Sequence, residues 1–177
     1  MLSQMRRKSI SKPTAIITTL EDSVSWLDQR LVSAYLRTTY RCFLASAEVP
    51  APARGEPESG VFDLRVGKTH PVFDHWLAGQ GIRQYAFITA ANPASQPLSE
   101  EENEHRNQAL EGTLRHLVAS VLPGISIGDE YWPPEAGFFA LGISAEQAVG
   151  QGRLFSQNAI VFGQTGGIAA LWWLPKP

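Results

Sequence analysis

The stretch from Tyr85 to Leu122 constrains the fold of this 177-residue chain more than any other part of it. An apolar run from Gln84 to Ala90 comes first and a polar turn follows. Beyond the turn, Ser99 and Glu102 have the spacing of a helix capping box. The apolar residues after them recur at steps of three and four as far as Val121, which is typical of one face of a helix. The pattern therefore predicts a central strand that is followed by a long helix.

The rest of the chain shows the same alternation of strand-like and helix-like patterns. The six predicted strands span residues 38–45, 61–66, 84–90, 137–143, 159–162 and 168–174, and the four predicted helices span about residues 24–35, 70–77, 99–122 and 144–155. The first helix would be capped by Asp22 or Ser23, and a Gly166-Gly167 turn indicates a hairpin at the end of the chain. We therefore expect an α/β (α+β) fold, with helices packed on a mixed sheet of about six mostly central strands with hairpins at its ends.

Composition points to one globular domain. Hydrophobic residues make up 44% of the chain and charged residues 18%, as in ordinary folded proteins. Residues 1–20 lack periodicity and are interpreted as a disordered N-terminal extension, which leaves residues 21–177 as the domain. A single cysteine, Cys42, excludes an intramolecular disulfide and favours the cytoplasm. The formal net charge of −2 and the lack of a bilayer-length apolar run argue against a nucleic-acid or membrane partner.

Polar side chains interrupt the predicted buried stripe of the long helix. Extended backward from its apolar part, the stripe reaches Asn107, Arg106 and Asn103, which lie near a turn that contains Asn92 and Ser95. Ligands of α/β sheets bind beyond the carboxyl ends of strands and beside helix N-termini. These five residues are therefore predicted to surround a polar pocket between the third strand and the long helix.

A purely structural role for the same residues stays open. Asn92 precedes Pro93, and an asparagine there commonly opens a turn by bonding to its own backbone. Arg106 is also able to pair with a glutamate or to satisfy carbonyl groups at the end of a strand. Buried polar groups in folded proteins are usually satisfied in one of these ways.

Two further segments carry candidate residues. Arg153 and Gln157 lie one helical turn apart and are candidate ligand contacts, although Asn158 beside them is better interpreted as a left-handed helix cap. In the segment from Asp129 to Glu135, acids flank aromatic residues, which is compatible with an acid–base pair on an aromatic platform. A solvated, proline-stiffened connector is the favoured interpretation of that segment. No metal motif and no cofactor fingerprint occurs, so neither a metal nor a cofactor is expected.

Three sequence segments carry a family resemblance. They are the strand end that leads into Asn92-Pro93, the helix start with Asn103 and Arg106, and the segment from Gly152 to Ala159. In these features the chain resembles a bacterial family of uncharacterised proteins, a domain of unknown function (DUF3293-like), over about residues 38–171. The resemblance implies a small, single-domain protein and no particular activity. The family pattern has an acid and a serine after a tryptophan, and this chain has Glu135 but no serine there.

Two functions follow from these observations. The near-neutral charge and the lack of a catalytic motif favour a small binding or interaction module, with an unknown small molecule or protein as its partner. The alternative is a small-molecule enzyme or ligand receptor that uses Asn92, Asn103, Arg106 and Asn107. Nucleic-acid binding would rest only on the basic residues near the N-terminus and is disfavoured.

Overall fold

The computed structural model describes residues 12–44, 60–129 and 131–174. Within these ranges the strands are β1 (Ala15–Ile17), β2 (Thr39–Phe43), β3 (Val61–Leu64), β4 (Gln84–Ile88), β5 (Ser120–Ile127), β6 (Glu135–Leu141), β7 (Ala159–Gln164) and β8 (Ala170–Trp173). The helices are α1 (Gln29–Arg37), α2 (Pro71–Gly79), α3 (Glu100–Leu117) and α4 (Ala145–Leu154). Short 3-10 turns lie at Leu20–Asp22 and Pro93–Ser95.

All eight described strands form one curled sheet. Their order across the sheet is β1-β8-β7-β4-β6-β5-β2-β3, and every neighbouring pair is antiparallel. The predicted α+β class and the central place of β4 are therefore confirmed. The predicted count of about six strands was too low, and the sheet is antiparallel rather than mixed.

Both faces of the sheet are covered, and side chains that alternate along each central strand divide between two cores. Tyr85 and Phe87 of β4 belong to the core under α1 and α2, whereas Ala86 and Ile88 belong to the core under α3 and α4. Because successive side chains point to opposite faces, a strand that is buried on both sides is apolar throughout. This explains the uninterrupted apolar run that marks β4 in the sequence.

Helix starts follow their capping residues. Ser99 and Ser144 both form the predicted capping boxes, with Glu102 and Gln147 as partners. The first helix was placed too early in the sequence: residues 20–22 form a 3-10 turn, and α1 begins after Asp28. The carboxylate of Asp28 accepts hydrogen bonds from the backbone N–H groups of Arg30 and Leu31, which fixes the start of α1 there.

Two strands were missed by the pattern analysis. Residues 118–122 were predicted as the end of the long helix, but the helix ends at Leu117 and residues 120–122 belong to β5, where Pro123 disfavours helical backbone in Leu122. Residues 15–17 were assigned to the disordered extension, but they form the edge strand β1, held by antiparallel pairing with β8. The first part of that predicted extension, residues 1–11, lies outside the described residues.

A pair of glycines brings β5 and β6 close to the aromatic core. Gly124 and Gly137 face each other in the register of these strands. A Cβ atom on Gly137 would lie 2.8 Å from both the backbone oxygen of Ile88 and the ring of Phe87. The missing side chain therefore lets the Phe87 ring cover the strand, in the manner of aromatic residues that cover glycines in other sheets.

Replacing Gly137 with alanine is expected to destabilise the fold by about 1–3 kcal/mol, because the new methyl group would overlap fixed backbone. Gly150→Ala is the matched control, since Gly150 lies within α4 with open space around it. That change should stabilise the fold by about 0.5–1 kcal/mol. Urea unfolding of both variants checks the prediction, and equal effects of the two changes would contradict it.

Candidate functional site

A cavity of about 700 Å³ opens between α1 and one end of the sheet. It lies at the end where β4 and β5 finish and where β2, β6 and β7 begin. Its apolar wall includes Phe87, Val161 and Leu171, which belong to the same core as α1. Side chains with polar groups also line it, among them Asn92, Ser95, Ser126, Trp132, Glu135 and Gln157.

Glu135 is the central polar group of this cavity. Its Oε1 atom accepts a hydrogen bond of 2.6 Å from Nδ2 of Asn92 and one of 2.9 Å from Nε1 of Trp132. Within the part of the chain that the structure describes, no hydrogen bond reaches Oε2. The carboxyl group is thus held by one oxygen while the other is open to the cavity.

Burial raises the pKa of the Glu135 carboxyl above its usual range, although the hydrogen bonds from Asn92 and Trp132 act in the opposite direction. Removal from water disfavours the charged form, and here that effect is larger than the effect of the two donors. A carboxyl group in this condition is suited to binding a cation or to exchanging a proton.

Two tyrosines from the α1 side complete the surroundings of this carboxyl. Burial raises the pKa of the Tyr35 hydroxyl and that of the Tyr40 hydroxyl, and the negative charge of Glu135 adds to both shifts. Both side chains are therefore neutral near neutral pH. The hydroxyl of Tyr35 lies 3.4 Å from Oγ of Ser95, which also accepts a 2.9 Å bond from Nδ2 of Asn158.

Asn92 joins the cavity to the long helix. Its Oδ1 atom accepts hydrogen bonds of 2.9 Å from the N–H of Leu98 and from Nδ2 of Asn103. The backbone N–H of Asn92 donates to Oδ1 of Asn103 at 2.8 Å. Asn103 therefore forms two hydrogen bonds with Asn92, and these bonds fix the orientation of the side-chain amide that donates to Glu135.

Arg106 and Asn107 fasten the end of β4 in the same way. Arg106 donates to the carbonyl oxygens of Ala90 and Phe155, each at 2.7 Å. Asn107 accepts from the N–H of Ala90 at 2.9 Å and donates to the carbonyl of Ala136 at 3.0 Å. These bonds satisfy backbone groups that would otherwise be buried without partners.

The structure separates the predicted site residues into two groups. Asn92, Ser95 and Gln157 line the cavity, whereas Asn103, Arg106 and Asn107 lie behind it on α3 and do not line it. The reason is that the cavity lies on the α1 face of the sheet, opposite the face that α3 covers. The pocket expected between the third predicted strand and the long helix thus lies across the sheet from that helix.

Gln157 and Arg153 also differ in their positions. Nε2 of Gln157 donates to the carbonyl oxygen of Ala91 at 3.0 Å, and its Oε1 accepts no hydrogen bond from the described residues. Arg153 is half-buried on α4 and is not among the residues that line the cavity.

The turn beside the cavity has an unusual backbone. Asn92, Ala94 and Ser95 have φ values of 43°, 53° and 57°, in the left-handed region that non-glycine residues seldom occupy. The N–H of Ala94 donates to the carbonyl of Ser156 at 2.8 Å, and Ser156 itself has a φ of 58°. Such conformations persist only where surrounding bonds enforce them, and they gather at binding sites.

Charged side chains at the mouth are arranged around this turn and α1. Arg30, Arg37 and Asp129 line the mouth and are exposed, and Arg37 pairs with Asp129 at 3.2 Å. Across residues 12–44, 60–129 and 131–174, no group of three or more histidine, cysteine or acidic side chains is placed to hold a metal ion. No helix in these ranges has the length and apolar character needed to cross a membrane.

Glu135 and Tyr35 were not among the ligand-binding residues predicted from the sequence. Glu135 was noted only in an acidic loop whose favoured interpretation was a connector, and Glu130 of that loop lies outside the described residues. A usable signal was present, since a strand that opens on Trp-Pro-Pro-Glu places one acid beside a buried face. Tyr35 has no such signal, because helical spacing alone marks it as a core residue.

Comparison with known families gives one match. Residues 88–160 match the model of a family described as protein of unknown function (DUF3293). The resemblance expected from the sequence is confirmed over these residues, which are fewer than half of the chain. They include Asn92, Glu135 and Gln157, whereas α1 lies outside them. Neither the curated proteins nor the solved structures contain a significant match.

Replacing Asn107 with alanine is expected to cost about 1–3 kcal/mol, because the buried N–H of Ala90 loses its acceptor. The neighbouring Gln108→Ala is the control, since Gln108 is exposed and should change stability by no more than about 0.5 kcal/mol. Urea unfolding measures both changes. A neutral Asn107→Ala variant would show that the bonds to Ala90 and Ala136 do not hold the end of β4.

The raised pKa of Glu135 predicts how stability depends on pH. Its protonated form favours the folded state, so this contribution is fully present below the ordinary glutamate value of 4.5 and is lost as pH rises through the raised pKa. Glu135→Gln keeps an acceptor but has no charge. Its melting temperature should therefore match the wild type in acid and exceed it at neutral pH, and the reverse order would contradict the burial of a carboxyl here.

Proposed function

We propose that the protein binds a small molecule in the cavity between α1 and the sheet. The observation that carries the proposal is the half-buried Glu135, held by one oxygen and open to the cavity at the other. A volume of about 700 Å³ falls in the range of ligand pockets, which are mostly apolar with a few convergent polar groups. The left-handed turn at Asn92 to Ser95 supports the same interpretation, because strained backbone gathers at such sites.

In this proposal the two groups of polar residues have different tasks. Asn92, Ser95 and Gln157 contact the ligand together with Glu135. Asn103 and Arg106 hold the turn from behind, so that Asn92 donates to Glu135 in a fixed direction. The polar stripe of α3 is then a support for the site instead of its lining.

Acid–base catalysis is the second candidate, and the raised pKa of Glu135 beside neutral Tyr35 favours it. A carboxyl group whose pKa is shifted toward neutral pH transfers protons well under physiological conditions. A compound that wild type binds and converts, and that Glu135→Gln binds without converting, would favour the catalytic candidate. If wild type and Glu135→Gln both bind the compound without converting it, the binding module is favoured.

The cytoplasm is the proposed location. The single cysteine of the chain supports it, because proteins of oxidising compartments commonly contain paired cysteines. A protein partner is a further proposal. The exposure of Trp26, a large apolar residue that is 63% exposed, supports it.

Filling the cavity should abolish binding. Ala34 lies in α1 and lines the cavity, so an aromatic side chain in Ala34→Phe should occupy ligand space. Nuclear magnetic resonance screening of a mixed fragment library should find compounds that bind wild type and lose about tenfold or more in affinity for this variant.

Ala109→Phe is the matched control. It places the same side chain on the exposed surface of α3, on the opposite face of the sheet, at the same cost in helix propensity. This variant should bind the fragments as wild type does. If Ala34→Phe weakens the binding of no fragment in the library, the proposed function is overturned.

A further inference from the structure

The cavity is rich in unpartnered hydrogen-bond acceptors. Oε2 of Glu135 and Oε1 of Gln157 accept no bond from the described residues, and neither counts among fully buried atoms that lack a partner. Neither oxygen is therefore fully buried, and both residues line the cavity. A carboxylate and an amide oxygen need donors, which a ligand would have to supply.

Apart from the exposed Arg30, the donors around the cavity are largely engaged with protein acceptors. The hydroxyls of Thr38 and Thr89 donate to the carbonyl oxygens of Ala34 and Ala136, at 2.9 Å and 2.6 Å. The amide of Asn92 and the indole N–H of Trp132 both donate to Glu135, and the amide of Asn158 donates to Ser95. A ligand that mainly offers acceptors would find few donors here.

The charge of the cavity has one sign where it is least exposed. Among the described lining residues, Glu135 is the one acidic or basic side chain that is not exposed. At the exposed mouth Arg37 and Asp129 pair with each other, so they largely cancel, and the charge of the exposed Arg30 is screened by solvent. A cation placed against Glu135 would meet an acceptor and an opposite charge together, and such bonds are about twice as strong as neutral ones.

Aromatic rings surround this charged acceptor. Tyr35, Tyr40, Phe87 and Trp132 all line the same cavity. The faces of such rings attract cations, and their edges and neighbours accommodate an apolar body. Aliphatic side chains, among them Val161 and Leu171, form a further part of the wall.

We propose that the ligand is a protonated amine carried on an apolar body, with the ammonium bound by Oε2 of Glu135 and Oε1 of Gln157. This inference rests on the proposed function, because it names the class of molecule that the same cavity takes. An ammonium supplies up to three donors and one positive charge, which matches two open acceptors beside a single carboxylate. The apolar body fills the remaining volume between α1 and β7.

The test uses three probes of similar size that differ in the polar end of one side chain: 2-(1-naphthyl)ethylamine, 2-(1-naphthyl)ethanol and 1-naphthaleneacetic acid. Binding to the full chain at neutral pH is followed by chemical shifts of backbone amides. For a body of this size a Kd of about 1 mM or tighter is expected for the amine. The amine should bind at least about tenfold more tightly than the alcohol or the acid, because the alcohol lacks the positive charge that pairs with Glu135 and the acid carries a negative charge.

Glu135→Gln should remove that preference, since the amide keeps the shape but not the charge. Its melting temperature checks that the variant is folded. Glu104→Gln, an exposed change on α3, is the control and should leave the preference intact. A preference for the amine that survives in Glu135→Gln would overturn the assignment of the ammonium to Glu135.

Other outcomes separate this inference from the proposed function. Equal or tighter binding of the alcohol or the acid in the cavity would overturn the amine inference and leave ligand binding in place. The same holds if none of the three probes binds while library fragments do. If neither the probes nor the library bind, the proposed function itself falls.

Discussion

Backbone groups at the end of β4 need hydrogen-bond partners, and the arrangement of the cavity depends on how α3 supplies them. Asn107 takes the N–H of Ala90, Arg106 takes its carbonyl, and Asn103 takes the N–H of Asn92. An unpaired buried group of this kind costs about 1–3 kcal/mol. Because α3 supplies these hydrogen-bond partners from one face of the sheet, the side-chain amide of Asn92 is able to donate to Glu135 at the edge of the other face.

Much of the fold follows from local chemistry that a sequence displays. The apolar β4, the capping boxes at Ser99 and Ser144 and the glycine turn before β8 all rest on neighbouring residues. The edge strand β1 does not, because its three residues are held by pairing with β8, more than 150 residues away, and by burial of Ile17 in the core. The periodicity of residues 118–122 is compatible with a helix and with a strand. Pairing of β5 with β6 decides in favour of a strand for residues 120–122.

Only part of the candidate site could be predicted from the sequence, for a similar reason. Helical spacing shows that Asn103, Arg106 and Asn107 lie on a buried face, but it does not show what they contact. Their partners are backbone groups and the side chain of Asn92, so the polar stripe is structural in its contacts. The role of Glu135 depends on the meeting of Asn92 with a strand that begins 43 positions later, which spacing along one element does not reveal. Charge and strain then concentrate where these distant elements meet.

The central claim is that the Glu135 carboxyl is held in an apolar cavity by donors to a single oxygen. Carbon-13 resonance titration of that carboxyl in wild type and in Trp132→Phe tests it most directly. We expect a pKa above the ordinary glutamate value of 4.5 in wild type, and a higher pKa in the variant, which loses a donor that stabilises the charge. An ordinary pKa in both proteins would show a solvated carboxyl and would contradict this claim.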